Sequence, residues 1–343
     1  MQRNQPERPS ENAPDSAQAL WYVAPGKLEL RREDLPAPAQ GELRVRTLFS
    51  GVSRGTESLV FRGRVPQSEW QRMRAPFQAG DFPYPVKYGY ACVGMAEAQE
   101  TAGSARPVFV LHPHQDLFNA PVGSLVPVPE GIPFARAVLA ANLETALNGL
   151  WDGSPSPGDQ ITVVGGGVVG LLAGWLAASI PATSVTLIDV NPQKESIART
   201  LGMRFATPGN ADGNQDLVIH ASGRAEGLNT ALELAGMEAT VLEMSWYGDA
   251  PVSACLGGAF HSRRLTLKSS QVGRIPADRQ ARWTFRRRME TALSLLRDDR
   301  LDALLEPAIP FHKLAEELPD VLSGTRDALA QVVSYPRRSA KRP

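Results

Sequence analysis

Ile161-Thr162-Val163-Val164-Gly165-Gly166-Gly167-Val168-Val169-Gly170 is the stretch that decides the fold. Four apolar or β-branched residues read as a buried strand, three glycines as a tight turn, and the residues from Val168 onward as an apolar helix. The glycines fall as G-x-G-x-x-G at Gly165, Gly167 and Gly170. The first permits the sharp turn, the second lets backbone approach a pyrophosphate, and the third lets the helix lie close to the sheet. The free N–H groups at the helix start, around Val168 and Val169, then face the phosphates. Such a pattern is weak alone, and its surroundings strengthen it. Residues 171–178 continue the helix, and 184–188 form a second strand ending at Asp189. Asp189 follows Gly170 by 19 residues, close to the roughly 20 expected for an acid that accepts from an adenosine ribose. Residues 161–180 carry no charge, but their five glycines and the immediate return to a strand argue against a membrane span.

The chain has 343 residues, enough for two domains with full cores. Apolar residues make up 43% and charged residues 21%, the composition of a globular protein. Net charge is +0, so no electrostatic case exists for nucleic acid or an acidic membrane as partner; a small-molecule substrate is expected. Two cysteines, Cys92 and Cys255, provide neither a disulfide framework nor a four-thiolate zinc site, and a cytoplasmic address is the default. The first residues are polar and Pro-rich without the apolar core of a signal peptide, so 1–20 reads as a disordered lead-in. The basic 337–342 reads as a solvated tail.

Residues 28–30 and 43–49 read as strands. In the second, Leu43, Val45 and Thr47 alternate with Glu42, Arg44 and Arg46, the period of a half-buried strand. Residues 62–84, with four Arg and several Pro and Gly, read as a long irregular loop. Further strands are expected at 93–96 and 108–111. A helix over 135–151 carries Val138, Leu139, Leu143, Ala146, Leu147 and Leu150 at three- and four-residue steps. Gly153, Pro155, Pro157 and Gly158 then break the chain at a domain boundary. Strands at 161–164, 184–188, 216–219, 239–244 and 265–268 alternate with helices near 168–179, 192–201 and 224–235, which implies a doubly wound parallel sheet. An Arg-rich helical stretch follows; Arg279, Arg282, Arg286, Arg287 and Arg288 read as its solvated face. A final strand is expected at 330–335.

This order resembles the medium-chain dehydrogenase/reductase superfamily over residues 21–336. Gly51-Val52-Ser53-Arg54-Gly55-Thr56-Glu57 is similar to the turn that carries G-x-C-x-(T/S)-D. Tyr88-Gly89-Tyr90-Ala91 stands where the zinc enzymes have G-H-E, and Asp189-Val190-Asn191-Pro192 through Leu201-Gly202 resembles the second-strand acid and its following helix. The resemblance implies an α/β fold: a Rossmann doubly wound parallel sheet over 152–273, and a GroES-like β-rich catalytic domain from 21–151 that 274–343 rejoins. It also implies a homo-oligomer, dimer or tetramer. The departures point to a zinc-lacking branch. Ser53 or Arg54 replaces the first Cys, Tyr90 the His, Ala91 the Glu, and Asn142 or Leu143 lies near the last Cys position. The runs 50–57 and 63–66 and the Gly-Tyr motif are locally similar to bacteriochlorophyllide (3-hydroxyethyl) dehydrogenases.

The expected cofactor is NAD(H). A 2′-phosphate beside Asp189 meets a like charge, which disfavours NADP(H). The resemblance puts Ser222 and Trp246 after the fourth and fifth Rossmann strands, bordering adenosine and nicotinamide, and Ser270 after the last strand at the nicotinamide end. Thr56 stands where zinc enzymes keep a hydroxyl that touches the substrate oxygen, and a hydroxyl can relay a proton. Glu57 is either a base or positioning acid, or a salt-bridged structural one. Tyr90 has an ordinary pKa of about 10, too high for a base at neutral pH unless a cation such as Lys87 lowers it; otherwise it fills the space left by the metal. His114 is an acid/base candidate if it faces the cleft; with His112 it makes two potential ligands, too few for a metal, so no metal site is expected. His220 reads as a satisfied core residue, and Cys92 and Cys255 as inert buried thiols. Three functions follow: a zinc-independent NAD(H)-dependent oxidoreductase acting on a secondary alcohol or ketone, a quinone or enoyl reductase, or a non-catalytic NAD(H)-binding sensor.

Overall fold

The computed structural model describes residues 15–97 and 105–336. Most of the expected lead-in and the basic tail lie outside those residues. The glycine turn follows the first strand of a six-stranded parallel sheet. In chain order its strands are Gln160–Val164, Ser184–Ile188, Arg204–Ala206, Gln215–His220, Ala235–Glu243 and Thr266–Ser269. In space they run third, second, first, fourth, fifth, sixth. The order reverses between the first and fourth strands, and the crevice at their carboxyl ends is where such sheets bind ligands.

The helix Val168–Ala178 is apolar nearly all round because it is covered nearly all round. Leu171, Leu172, Ala173 and Ala177 are fully buried between the sheet and the helix Ala140–Gly153. A Cβ on Gly170 would stand 2.1 Å from the Gly165 carbonyl oxygen, so only glycine lets this helix approach the strand.

The remaining chain builds two β-sheets. One holds Lys27–Leu35, Asp15–Ala24, Val86–Lys87 and Ala79–Gly80 in that spatial order. The other runs Leu305–Pro310, Ala330–Ser334, Glu42–Gly51, Cys92–Ala96, Arg106–Val110, Val126–Pro127, with Leu117–Pro121 also paired to Glu42–Gly51. The strand Ala330–Ser334, from the far end of the chain, pairs antiparallel with Glu42–Gly51, Val332 opposite Gly51.

Three expectations need correction. The strand Asp15–Ala24 starts inside the expected lead-in, with Ala17, Ala19 and Leu20 fully buried. Two alanines alternating with polar residues carry too little hydrophobicity to stand out beside a Pro-rich segment. Arg288 is not on a solvated face. It is 2% exposed, with Nε donating to Glu144 (2.9 Å) and one Nη to the Val272 carbonyl oxygen (2.6 Å). Cys255 is exposed, while Cys92 is buried with its thiol pushed well up by burial. No helix among the described residues is long and apolar enough to cross a membrane.

Candidate functional site

At the crevice, Gly165 has φ +111, and a Cβ there would stand 2.6 Å from the Ser222 backbone nitrogen. Gly167 caps the helix start, and a Cβ there would meet nothing within 4 Å. The turn is therefore tight where it must pass the fourth strand and open where the helix N–H groups emerge, at the half-buried Val168 and Val169. Asp189 ends the second strand beside it. One carboxylate oxygen accepts from Gly166 N (2.6 Å) and the other from Asn191 N (2.8 Å). Each oxygen keeps a free lone pair for a ligand hydroxyl. These residues fit a dinucleotide: an open helix end, a glycine cradle and an acceptor carboxylate together.

Ser222, Trp246 and Ser270 sit at the carboxyl ends of the fourth, fifth and sixth strands, but their side chains have partners within the protein. The Ser222 hydroxyl pairs with His220 Nε2 (2.6 Å), and His220 Nδ1 with Glu243 (2.7 Å). Glu243 also accepts from the Tyr247 hydroxyl (2.9 Å) and Ser245 N (2.7 Å). Burial alone raises the Glu243 carboxyl; the His220 contact and the Ser245 donors outweigh it and hold it below its ordinary value. This network, invisible in sequence because its members come from separate strands, locks the loop after the fifth strand. That loop crosses to the β-rich part: Trp246 packs there against the cluster of Val60, Phe61 and Val65, and Asp249 pairs with Arg64 (2.8 Å). Ser270 donates to Asp152 (2.7 Å).

On the β-rich side, Ser53 caps the helix Arg54–Phe61 without using its side chain on the helix. The Ser53 and Thr56 side chains instead lie close enough to the Tyr90 hydroxyl to act on its ionisation. Three hydroxyls thus gather here: Ser53 and Tyr90 at positions where the resemblance places zinc ligands, and Thr56 where it places the hydroxyl that touches the substrate oxygen. Ser53 holds the first of these, because the Arg54 guanidinium turns away to Asp327 (3.2 Å). Burial pushes the Tyr90 phenol up to about 12; the Ser53 and Thr56 bonds oppose this and the nearby Glu57 charge adds to it. Lys87 does not lower it: its ammonium is taken by Glu33 (2.6 Å) and Gln115 (2.9 Å). Tyr90 therefore keeps its proton near neutral pH.

Glu57 and His114 come together behind this hydroxyl group, both fully buried, with His114 Nε2 3.1 Å from Glu57. Glu57 also accepts from the Tyr22 hydroxyl (2.7 Å) and Ser53 N (2.7 Å). Burial alone raises its carboxyl, but the attraction and hydrogen bond of His114, then Tyr22 and Ser53 N–H, hold it below the ordinary value. On its other side His114 Nδ1 meets the Ser50 hydroxyl (2.7 Å), which meets the Tyr335 hydroxyl (2.9 Å). Gly89 makes room: with φ +116, a Cβ there would stand 2.8 Å from the His114 ring. His112 faces elsewhere, stacked on Phe118 with centroids 3.6 Å apart, and burial drops its pKa to about 3. Among the described residues, no three of His, Cys, Asp and Glu converge to hold a metal ion. Neutral hydroxyls and a high-pKa phenol are poor substitutes for the thiolates and imidazoles that zinc prefers.

Solved structures share this architecture. (2R,3R)-Butanediol dehydrogenase from Bacillus subtilis superposes with a TM-score of 0.74 at 15% identity, covering 94% of this chain and 100% of that one. An alcohol dehydrogenase from Escherichia coli CFT073, solved with NADH, superposes with a TM-score of 0.72 at 17% identity, covering 93% and 99%. The chain shares the fold of these dehydrogenases. In sequence it is 25% identical to D-guloside 3-dehydrogenase of Escherichia coli K12, over 87% of this chain and 93% of that one. It is 22% identical to L-galactonate-5-dehydrogenase of the same strain, over 91% and 97%. No family model matches the chain.

Proposed function

We propose that the protein is an NAD(H)-dependent oxidoreductase that interconverts a secondary alcohol and a ketone without zinc. The observation that carries this reading is the grouping of the Thr56 hydroxyl with the Ser53 and Tyr90 hydroxyls, the latter two at positions the resemblance assigns to zinc ligands, in a chain that also keeps the glycine cradle and Asp189. A bound nicotinamide supplies the hydride chemistry. Gly165, Gly167, Val168, Val169 and Gly170 provide the phosphate cradle, and Asp189 accepts from ribose hydroxyls. One neighbour by fold is solved with NADH and another, from Sinorhizobium meliloti, with NADP, so the fold admits both and the Asp189 charge sets the preference for NAD(H).

The hydroxyl group acts on the substrate oxygen. Tyr90, neutral because its phenol sits at about 12, donates to a carbonyl oxygen and stabilises the charge that develops there. The proton that the substrate oxygen takes up or gives up is exchanged with solvent, and Thr56 and Ser53 relay it by exchanging donor and acceptor roles. Glu57, out of the substrate's reach, fixes Ser53 through its backbone N–H and keeps a negative charge beneath the phenol, which favours the protonated form of Tyr90. His114 positions Glu57. Both relatives compared above are named as dehydrogenases of sugar derivatives, which favours a polyhydroxylated secondary alcohol as substrate.

The test is a panel of sugar acids, glycosides and simple secondary alcohols with NAD⁺ and NADP⁺, on protein assayed for metal and treated with chelator. Turnover with NAD⁺ that survives chelation supports the reading. Stoichiometric zinc whose removal abolishes turnover, or strong preference for NADPH with an enone, overturns it. Tight NADH binding without turnover on any substrate would favour the sensor.

A further inference from the structure

Asp327 lies in the turn between the helix Leu314–Ser323 and the strand Ala330–Ser334. Its carboxylate collects three donors from both halves of the molecule. One oxygen pairs with Arg54 (3.2 Å), from the helix that carries Thr56. The other pairs with Lys194 Nζ (3.1 Å) and accepts from Asn191 Nδ2 (3.4 Å), both from the loop and helix that follow Asp189. The Lys194 stem lies against the glycine turn: its Cγ stands 3.3 Å from where a Cβ on Gly166 would be. Lys194 is largely covered, at 13% side-chain exposure, whereas Asp327 is half exposed. A single anion thus ties two cations together across the cleft, beside the open end of the phosphate cradle. Convergent cationic and amide donors of this kind suit a phosphoryl group as well as a carboxylate.

We propose that Asp327 is an internal counter-anion that latches the cofactor cleft and competes with an entering dinucleotide for Arg54 and Lys194. This rests on the dinucleotide reading above and adds a residue that opposes binding. The phosphates of an arriving dinucleotide meet the Asp327 charge, and the two cations cannot turn to them until the latch opens. The latch is exposed enough for water and salt to weaken it, so its effect on affinity is moderate.

The experiment is a fluorescence titration of NADH into the full chain and into Asp327→Asn and Asp327→Ala, at low and at physiological salt, with thermal unfolding of each protein to establish that it is folded. The inference expects both variants to bind NADH about fivefold more tightly than the parent at low salt, with the gain shrinking as salt rises. It expects no comparable gain for adenosine, which carries no phosphate. Unchanged or weaker NADH binding in the variants overturns the latch while leaving the cofactor reading intact. Equal gains for adenosine and NADH also overturn it, because charge competition would not be the cause. Failure of the parent and both variants to bind NADH overturns the cofactor reading and the latch together.

Discussion

Replacing Glu57 by Gln removes one charge from a site closed to solvent. The carboxylate accepts three hydrogen bonds, from Tyr22 (2.7 Å), Ser53 N (2.7 Å) and His114 Nε2 (3.1 Å). Glutamine keeps one acceptor oxygen and points an NH₂ at donors on its other side, so at least one buried donor loses its partner. Breaking a buried charged pair by changing one member costs about 3–5 kcal/mol. At about 2–4 °C per kcal/mol for a domain of this order, Glu57→Gln is expected to unfold about 6–20 °C below the parent at pH 7. The pH dependence supplies the sharper test. Glu57 is held below its ordinary value of 4.5, so its stabilisation is fully present above that pH. It is lost as pH falls through the folded-state pKa, where the folded carboxylate takes up its proton. The gap between parent and variant should therefore be constant from about pH 6 to 8 and close progressively in acid. Differential scanning calorimetry from pH 3.5 to 8 measures it. An unchanged unfolding temperature at pH 7, or a gap that widens in acid, refutes the assignment of Glu57 as a buried, stabilising anion.

Four other outcomes follow from the same geometry. Tyr90→Phe should lower turnover by about 10²–10³, the usual effect of removing one donor to a developing oxyanion, while leaving NADH affinity and unfolding temperature nearly unchanged. With the phenol at about 12, no limb of the parent's pH–rate profile near neutrality should vanish in that variant, and one that did would make Tyr90 a base. Gly165→Ala, which places a methyl group 2.6 Å from Ser222 N at φ +111, should abolish NADH binding by isothermal titration. Asp189→Asn should narrow the preference for NADH over NADPH by about tenfold, the scale of one like-charge contact at a partly exposed site, measured as the ratio of the two dissociation constants. Arg288→Met should cost more stability in urea unfolding than Arg288→Met combined with Glu144→Met, because the single change strands a buried carboxyl whose pKa burial already raises.

What was legible in the sequence was local. The glycine turn, the β-branched strand before it and Asp189 lie within one βαβ unit, and each states its own geometry, so a parallel sheet is expected from them; its short edge strand Arg204–Ala206 carries no such signal. Thr56 and Tyr90 were recoverable as a pair only through the family resemblance. No local signal links Glu57 to His114, 57 residues further on, because the contact joins a helix to a distant loop, and none links His220 to Glu243, which only sheet register sets opposite each other. Arg288 is hidden from the sequence because its partner Glu144 is 144 residues away, and an arginine in a basic run looks solvated until that partner is found. Lys87 beside Tyr90 in sequence suggested a pKa effect that the strand pairing removes by aiming the ammonium at Glu33 and Gln115.

The strand Ala330–Ser334 has a consequence for biogenesis. Val52 N donates to the Gln331 carbonyl oxygen (2.9 Å), one residue before Ser53, and Tyr335 closes the hydrogen-bond line through Ser50 to His114. The hydroxyl group is thus templated by a segment made after the whole central parallel sheet. During synthesis the central parallel sheet has all its strands well before the outer sheet can close. The nascent chain would hold a folded nucleotide-binding core beside an open edge at Glu42–Gly51, exposed to mispairing until the final strand arrives. A chain cut before Ala330 should retain that core and leave the edge uncovered, a candidate for aggregation or chaperone capture rather than for partial activity.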